Sequence, residues 1–320
     1  MDFFLTRGGP SLQRRSVTTE FPNKFAFENH LDFEQIPLEA ELQSNRHSPP
    51  IFGDGLIDCI PDGDIAAQGV QESMENPALA GRQISAVDRY TESARAARFG
   101  WKNQHINLFN FTTGAMNIEM GLTTFAAHTE NSTEPLGDNP DFLRIANKAG
   151  SPNDKGKILL ALAWYQSLLA PAPRGPITPE VTKGEAVFKK LDCAFCHRPT
   201  WKTASECIFA DPEGKLPETK QVRVKALESQ TFSPYTDLLV HDMGPELADG
   251  IPQEGAKGGE WRTTPLWGLR FKKFLLHDGR TRDLHTAITM HGGQSSESAQ
   301  AYKKLTPEDK NALLAFLKSL

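Results

Sequence analysis

Residues Cys193-Ala194-Phe195-Cys196-His197 constrain this 320-residue chain more than any other stretch. Two cysteines three positions apart lie one helical turn from each other, so both sulfurs face the same way. That spacing lets each form a thioether to a haem vinyl group, and the next residue, a histidine, then lies beneath the iron as an axial ligand. The motif therefore points to a covalently attached c-type haem held by Cys193 and Cys196, with His197 as a metal ligand. Two other chemistries use similar spacings. A structural zinc site needs a second ligand pair, for which Cys207 and a stray histidine are available but not at a familiar spacing. A thioredoxin-like dithiol needs a βαβ setting, and no such pattern surrounds the motif.

The sequence around the motif is helical in character. Thr178-Pro179-Glu180 opens a helix with a hydroxyl cap, a proline at the first helical position and an acid in the first turn. Its apolar stripe is Val181, Val187, Phe188 and Leu191. Gly184 interrupts it at a cost of about 1 kcal/mol, which close approach of another backbone would justify. The last helix repeats the opening as Thr306-Pro307-Glu308-Asp309, with Leu313, Leu314, Phe316, Leu317 and Leu320 on one side. Two such helices bracketing the motif predict a small α-helical module wrapped around a cofactor. Residues 198–265 read mostly as loop. Upstream, residues 154–169 have helical periodicity, and the run Pro171-Ala172-Pro173-Arg174-Gly175-Pro176 ends that helix and marks a domain boundary. Residues 56–63 fit one helical turn or a strand, residues 99–122 look buried without a clear period, and residues 1–50 are polar and irregular.

Composition excludes several roles. Lys and Arg number 35 against 40 Asp and Glu, a net charge of −5, which argues against a nucleic-acid partner. The longest apolar run, Ile158 to Trp164, is far short of the roughly 20 residues of a membrane span. The first residues lack a secretory signal and on their own read as cytoplasmic. Such haems are attached outside the bacterial cytoplasm, so the motif shifts the expectation to the periplasm, with the beginning of the chain missing. Cys59 and Cys207 lie outside the motif and fit either a disulfide in an oxidising compartment or two buried thiols. The sixth iron ligand has three candidates downstream: Met243, Met290 and His291.

Several longer stretches occur together in one order. They are Ser48-Pro49-Pro50-Ile51-Phe52-Gly53-Asp54-Gly55-Leu56-Ile57-Asp58, Arg98-Phe99-Gly100-Trp101-Lys102, Ile118-Glu119-Met120-Gly121, and Gly184-Glu185-Ala186-Val187-Phe188 running into the motif. They continue with the segment from Pro234 to Gly244, Trp261-Arg262-Thr263-Thr264-Pro265-Leu266-Trp267-Gly268-Leu269, and Leu276-His277-Asp278-Gly279-Arg280. On these stretches the chain, from Pro50 onward, resembles the bacterial di-haem oxidoreductases labelled peroxidases or thiol oxidoreductases. More distantly it is similar to the di-haem cytochrome c peroxidases.

The resemblance implies further site residues. The distal ligand of the C-terminal haem lies fourteen residues past the histidine of His-Asp-Gly, which from His277 reaches His291. Met290 is the runner-up, because methionine is the usual ligand there in the peroxidases. His277 matches a residue beside the haem, Glu119 the acid–base glutamate and Trp101 a tryptophan between the two haems that could relay electrons. Family members carry two Cys-x-x-Cys-His motifs, so the first is expected upstream of residue 1. The expected fold is mainly α, with a cytochrome c-like haem domain over 176–320. Residues 1–175 form the irregular, partly helical remainder of an N-terminal domain without its haem motif. The expected function is electron transfer by haem c within a peroxidase-like oxidoreductase, with a redox partner protein and peroxide or another small oxidant as reactants. The alternative is a non-catalytic mono-haem electron carrier.

Overall fold

Among the described residues, runs of helices are separated by runs of short strands. The computed structural model describes residues 41–88, 93–128, 152–210 and 221–320; residues 1–40, and the polar irregular character expected there, lie outside the described residues. In order, the elements are α1 (Asp54–Asp58), α2 (Asp62–Glu75), β1 (Ser85–Val87), β2 (Ala94–Ala96), α3 (Leu108–Gly114) and a π-helical turn (Ala115–Glu119). Then come α4 (Lys157–Leu168), α5 (Pro179–Lys190), α6 (Cys193–Cys196), β3 (Trp201–Lys202), β4 (Ile208–Ala210), β5 (Gln221–Arg223), β6 (Thr231–Phe232), β7 (Val240–Asp242) and β8 (Glu260–Arg262). The chain ends in α7 (Leu284–Thr289), α8 (Ser296–Lys303) and α9 (Pro307–Ser319). The strands form only two-stranded ladders among the described residues: β1–β2, β3–β6, β4–β5 and β7–β8. Over its described residues, 198–210 and 221–265, the expected loop is irregular backbone pinned at intervals by ladders two or three residues long.

Contacts divide the described residues into two units. One holds residues 41, 109–128, 152–164, 210 and 221, and the other holds 42–88, 93–108, 165–209 and 222–320. The first has at its heart Met116, Leu159 and Leu160, all buried. Asp154 accepts the backbone N–H groups of Ile158 and Leu159 at 3.0 and 2.9 Å, capping α4 with a carboxylate where the helix dipole favours one.

The second unit is built around the pair α5 and α9. Thr178 caps α5 by accepting the Val181 N–H, and Thr306 caps α9 by accepting the Asp309 N–H. Their apolar stripes, Val181, Val187 and Phe188 against Leu313, Phe316 and Leu317, form one buried cluster with Tyr235 and Tyr302. Gly184 has the reason expected of it: a Cβ there would lie 1.9 Å from the carbonyl oxygen of Ala312. Residues 56–63 take the end of α1, a three-residue turn at 59–61 and the start of α2, so no strand forms there. A disulfide joins Cys59, just past α1, to Cys207 just before β4, which settles the two alternatives for these cysteines. It also removes Cys207 as a zinc ligand.

Candidate functional site

Helix α6 is a single turn and presents the Cys193 and Cys196 sulfurs to a cavity in the second unit. Neither thiol is bonded to another cysteine. Burial pushes the Cys193 thiol up to about 12 and raises that of Cys196 as well, so both are neutral at physiological pH. Asp192 turns the chain into α6 with φ +57°, a left-handed conformation that aspartate tolerates better than most residues.

His197 follows directly and lines the same cavity. Its Nδ1 lies 3.1 Å from the carbonyl of Tyr235. A carbonyl can only accept, so Nδ1 carries the hydrogen and Nε2 is left with its lone pair free. Phe188 packs on the ring at 6.2 Å and helps hold its plane. Tyr235 itself adopts φ +58°, a strained backbone of the kind that accumulates where a group must be aimed. Burial, with His291 as the next cause, lowers His197 to about 3, so the imidazole is neutral and suited to a metal.

His291 lines the cavity too, just beyond α7. Its Nδ1 donates to the Ala287 carbonyl at 2.8 Å, again leaving Nε2 free, and burial holds the ring neutral. Met243 reaches the cavity, with its sulfur accepting the Ser295 hydroxyl at 3.8 Å. Met290, which ends α7, is not among the lining residues. The walls between these groups are apolar, from Leu266, Leu269, Leu275, Ile288, Leu313 and Leu317 among others. A hydrophobic slot carrying two neutral thiols and two neutral imidazoles, each with a free Nε2, fits a haem.

An aromatic cluster borders the cavity. His277 stacks on Trp261 with centroids 3.7 Å apart, and Trp101 meets both rings edge-on at 6.3 and 6.4 Å. The Trp101 indole N–H donates to the His47 carbonyl at 2.8 Å. Burial lowers His277 to about 4, which keeps it uncharged. Lys102 lies over the other ring system of the cluster, its Nζ 4.1 Å from the Trp261 centroid, and is itself buried. Glu119 is elsewhere: it belongs to the first unit, at the exposed end of the π-helical turn, with partial desolvation raising its carboxyl.

Among the lining residues that sequence reasoning missed are the titratable His241, Arg262 and Lys272. The ladder β7–β8 pairs His241 with Trp261 and sets Arg262 opposite Val240. His241 Nδ1 is 3.6 Å from the Cys196 sulfur, and its Nε2 is 2.7 Å from Asp237 Oδ2. Burial opposes charge on His241, but the Asp237 carboxylate outweighs it and holds the imidazole well above its usual range. Cys196, Asp237 and His241 place their ligand atoms within 4.8 Å of one another, an arrangement in which the aspartate already pairs the histidine. The Asp237/His241 spacing of four residues was the one local signal available.

No helix among the described residues is long and apolar enough to cross a membrane. No curated protein matches the chain. The solved structures similar to it include two at low identity. A MauG-like protein associated with microbial copper homeostasis is 15% identical over 90% of this chain and 95% of its own, with a TM-score of 0.38. The diheme peroxidase BthA from Burkholderia thailandensis E264 is 16% identical over 82% of this chain and 87% of its own, with a TM-score of 0.39. At such scores the likeness carries no argument. A family model does, matching residues 36–320 under the description "Di-haem oxidoreductase, putative peroxidase". The chain belongs to this family of haem-based oxidoreductases.

Proposed function

We propose that the cavity takes a c-type haem, bound through Cys193 and Cys196 and ligated by His197 and His291. In this reading it is the electron-transfer site of a peroxidase-like di-haem oxidoreductase working in the periplasm. The observation that carries it is the pair of imidazoles lining one cavity, each with Nδ1 occupied by a backbone carbonyl and Nε2 free. The haem supplies an iron that cycles between ferric and ferrous states at a potential set by its ligands and surroundings. Tyr235 and Ala287 orient the two imidazoles through their carbonyls, a second layer of contacts that fixes tautomer and ring plane. The apolar walls keep water from the site, and residues 176–320 form its cytochrome c-like domain. His277 bounds the site against Trp261. Trp101, in edge contact with both, is the relay toward a redox partner protein. Glu119 is the acid–base group for peroxide or another small oxidant. The disulfide Cys59–Cys207 supports an oxidising compartment.

A second reading, a non-catalytic mono-haem electron carrier, is favoured by the same pair of histidines, because this chain would then supply both imidazoles that hold the iron and leave no place for peroxide. Adding peroxide to the reduced protein separates the two: a rapid spectral change supports the peroxidase reading and its absence the carrier. The ligand assignment is tested with His291→Ala in protein matured in a haem-attaching host. A low-spin spectrum should become high-spin; retention of the low-spin form would assign the position to Met243 or Met290.

A further inference from the structure

Positive charge in the cavity exceeds what the nearby carboxylates offset. Arg262 is anchored at its root, its backbone N–H donating to the Trp101 carbonyl and its Nε to the Gly100 carbonyl, both at 2.8 Å. That leaves the two Nη groups without a hydrogen-bond partner among the described residues, on a side chain that lines the cavity. Lys272 ends the 3-10 turn Leu269–Phe271 and also lines the cavity, and its Nζ makes a single long bond, 3.4 Å to the Pro265 carbonyl. The two cations act on each other: burial, then the charge of Arg262, brings Lys272 down to about 8, and burial brings Arg262 to about 10. The acids facing Arg262 are Asp54 and Asp237. Burial raises Asp54 to about 7, so it carries only part of a charge at neutrality, and Asp237 is engaged by His241. A guanidinium with unused donors beside an underused ammonium, both opening on one slot, is a site for an anion.

We propose that Arg262 and Lys272 receive the two carboxylate side chains of the haem. The inference rests on the haem reading above and extends it to the group's other edge. A porphyrin attached through its vinyl carbons carries its carboxylates on the opposite edge, so the residues that meet them must come from elements other than α6. Arg262 comes from β8 and Lys272 from the turn after it. Carboxylates brought into an apolar slot need cationic partners to offset their lost hydration, and these two side chains would supply them. Cys193 and Cys196 would hold one edge of the group and Arg262 and Lys272 the other.

The test uses haem-loaded protein and reads haem content by pyridine haemochrome and midpoint potential by redox titration. Lys272→Gln and Arg262→Gln should each keep the haem yet lower the potential, because an unbalanced carboxylate favours ferric iron. A tenfold shift in the ferric/ferrous equilibrium, 59 mV for one electron, is the expected size. Arg262→Lys, which keeps the charge, should shift it less. Should Arg262→Gln fail to fold, Lys272→Gln decides, since its single long bond holds little structure. Haem-loaded variants with the wild-type potential would overturn the carboxylate site and leave the haem reading standing. A wild-type chain without haemochrome would overturn both.

Discussion

Asp237 and His241 show how much a single buried pair can decide. Both are buried, and the pair is bonded at 2.7 Å beside the Cys196 sulfur. An imidazole whose folded value lies above its unfolded value near 6.5 favours the folded chain fully below that value. It loses that contribution as pH rises through the folded value. Asp237→Asn should therefore cost about 3 kcal/mol at neutral pH, the lower end for breaking a buried pair. It should also flatten the decline in stability on the alkaline side, measured by denaturant unfolding across pH. Equal alkaline slopes in variant and wild type would remove the pair from the account. The motif at 193–197 was legible because its geometry is local, five residues in one turn. His241, Arg262 and Lys272 were not, because what brings them to the cavity is distant in sequence: His241 meets Cys196 from 45 residues away and Arg262 is anchored on Gly100 from 162 residues away, while the nearby partners Asp237 and Pro265 say nothing of a cavity. His291 was reached only by counting from His277, since nothing in its own neighbourhood distinguishes it from Met290.

The helices α5 and α9 behave as their sequences predict, down to their threonine caps, because cap and stripe are both encoded within one element. Their contact turns on Gly184. Helix propensity alone makes Gly184→Ala worth about 1 kcal/mol of stabilisation, whereas a Cβ 1.9 Å from the Ala312 carbonyl must push the helices apart. Overpacking of this kind costs about 1–3 kcal/mol, so the variant should be destabilised. A stabilised Gly184→Ala in thermal unfolding would show that α5 and α9 are not in backbone contact. By comparison, Thr178→Ala and Thr306→Ala should each cost about 1 kcal/mol and add, since the two caps share no partner. The short elements were less legible for a physical reason. Residues 56–63 are too few to show a period, and α1 has its place through packing, with Gly55 set so close that a Cβ would lie 1.9 Å from the Ser167 carbonyl. The two- and three-residue strands of 198–265 bury no stripe of their own, so no alternation announces them.

At the scale of the molecule, the second unit is assembled from segments far apart in the chain, and Cys59–Cys207 ties two of them across 148 residues. Closing a loop of that length removes about 5 kcal/mol of unfolded-chain entropy in the simple model. Cys59→Ser with Cys207→Ser should lower unfolding stability by about 2–4 kcal/mol. The wild type treated with reductant should fall to the same level, and a smaller loss would mean that the segments hold together by packing alone. The same cross-link sets an order of events in biogenesis. Four cysteines can pair in three ways, and only one of those pairings both closes 59 to 207 and leaves 193 and 196 to each other. Under the haem attachment proposed above, the maturing chain must be oxidised at one pair while the other is kept reduced, so its yield would depend on a sorting of thiols that pairs 59 with 207 and spares 193 and 196.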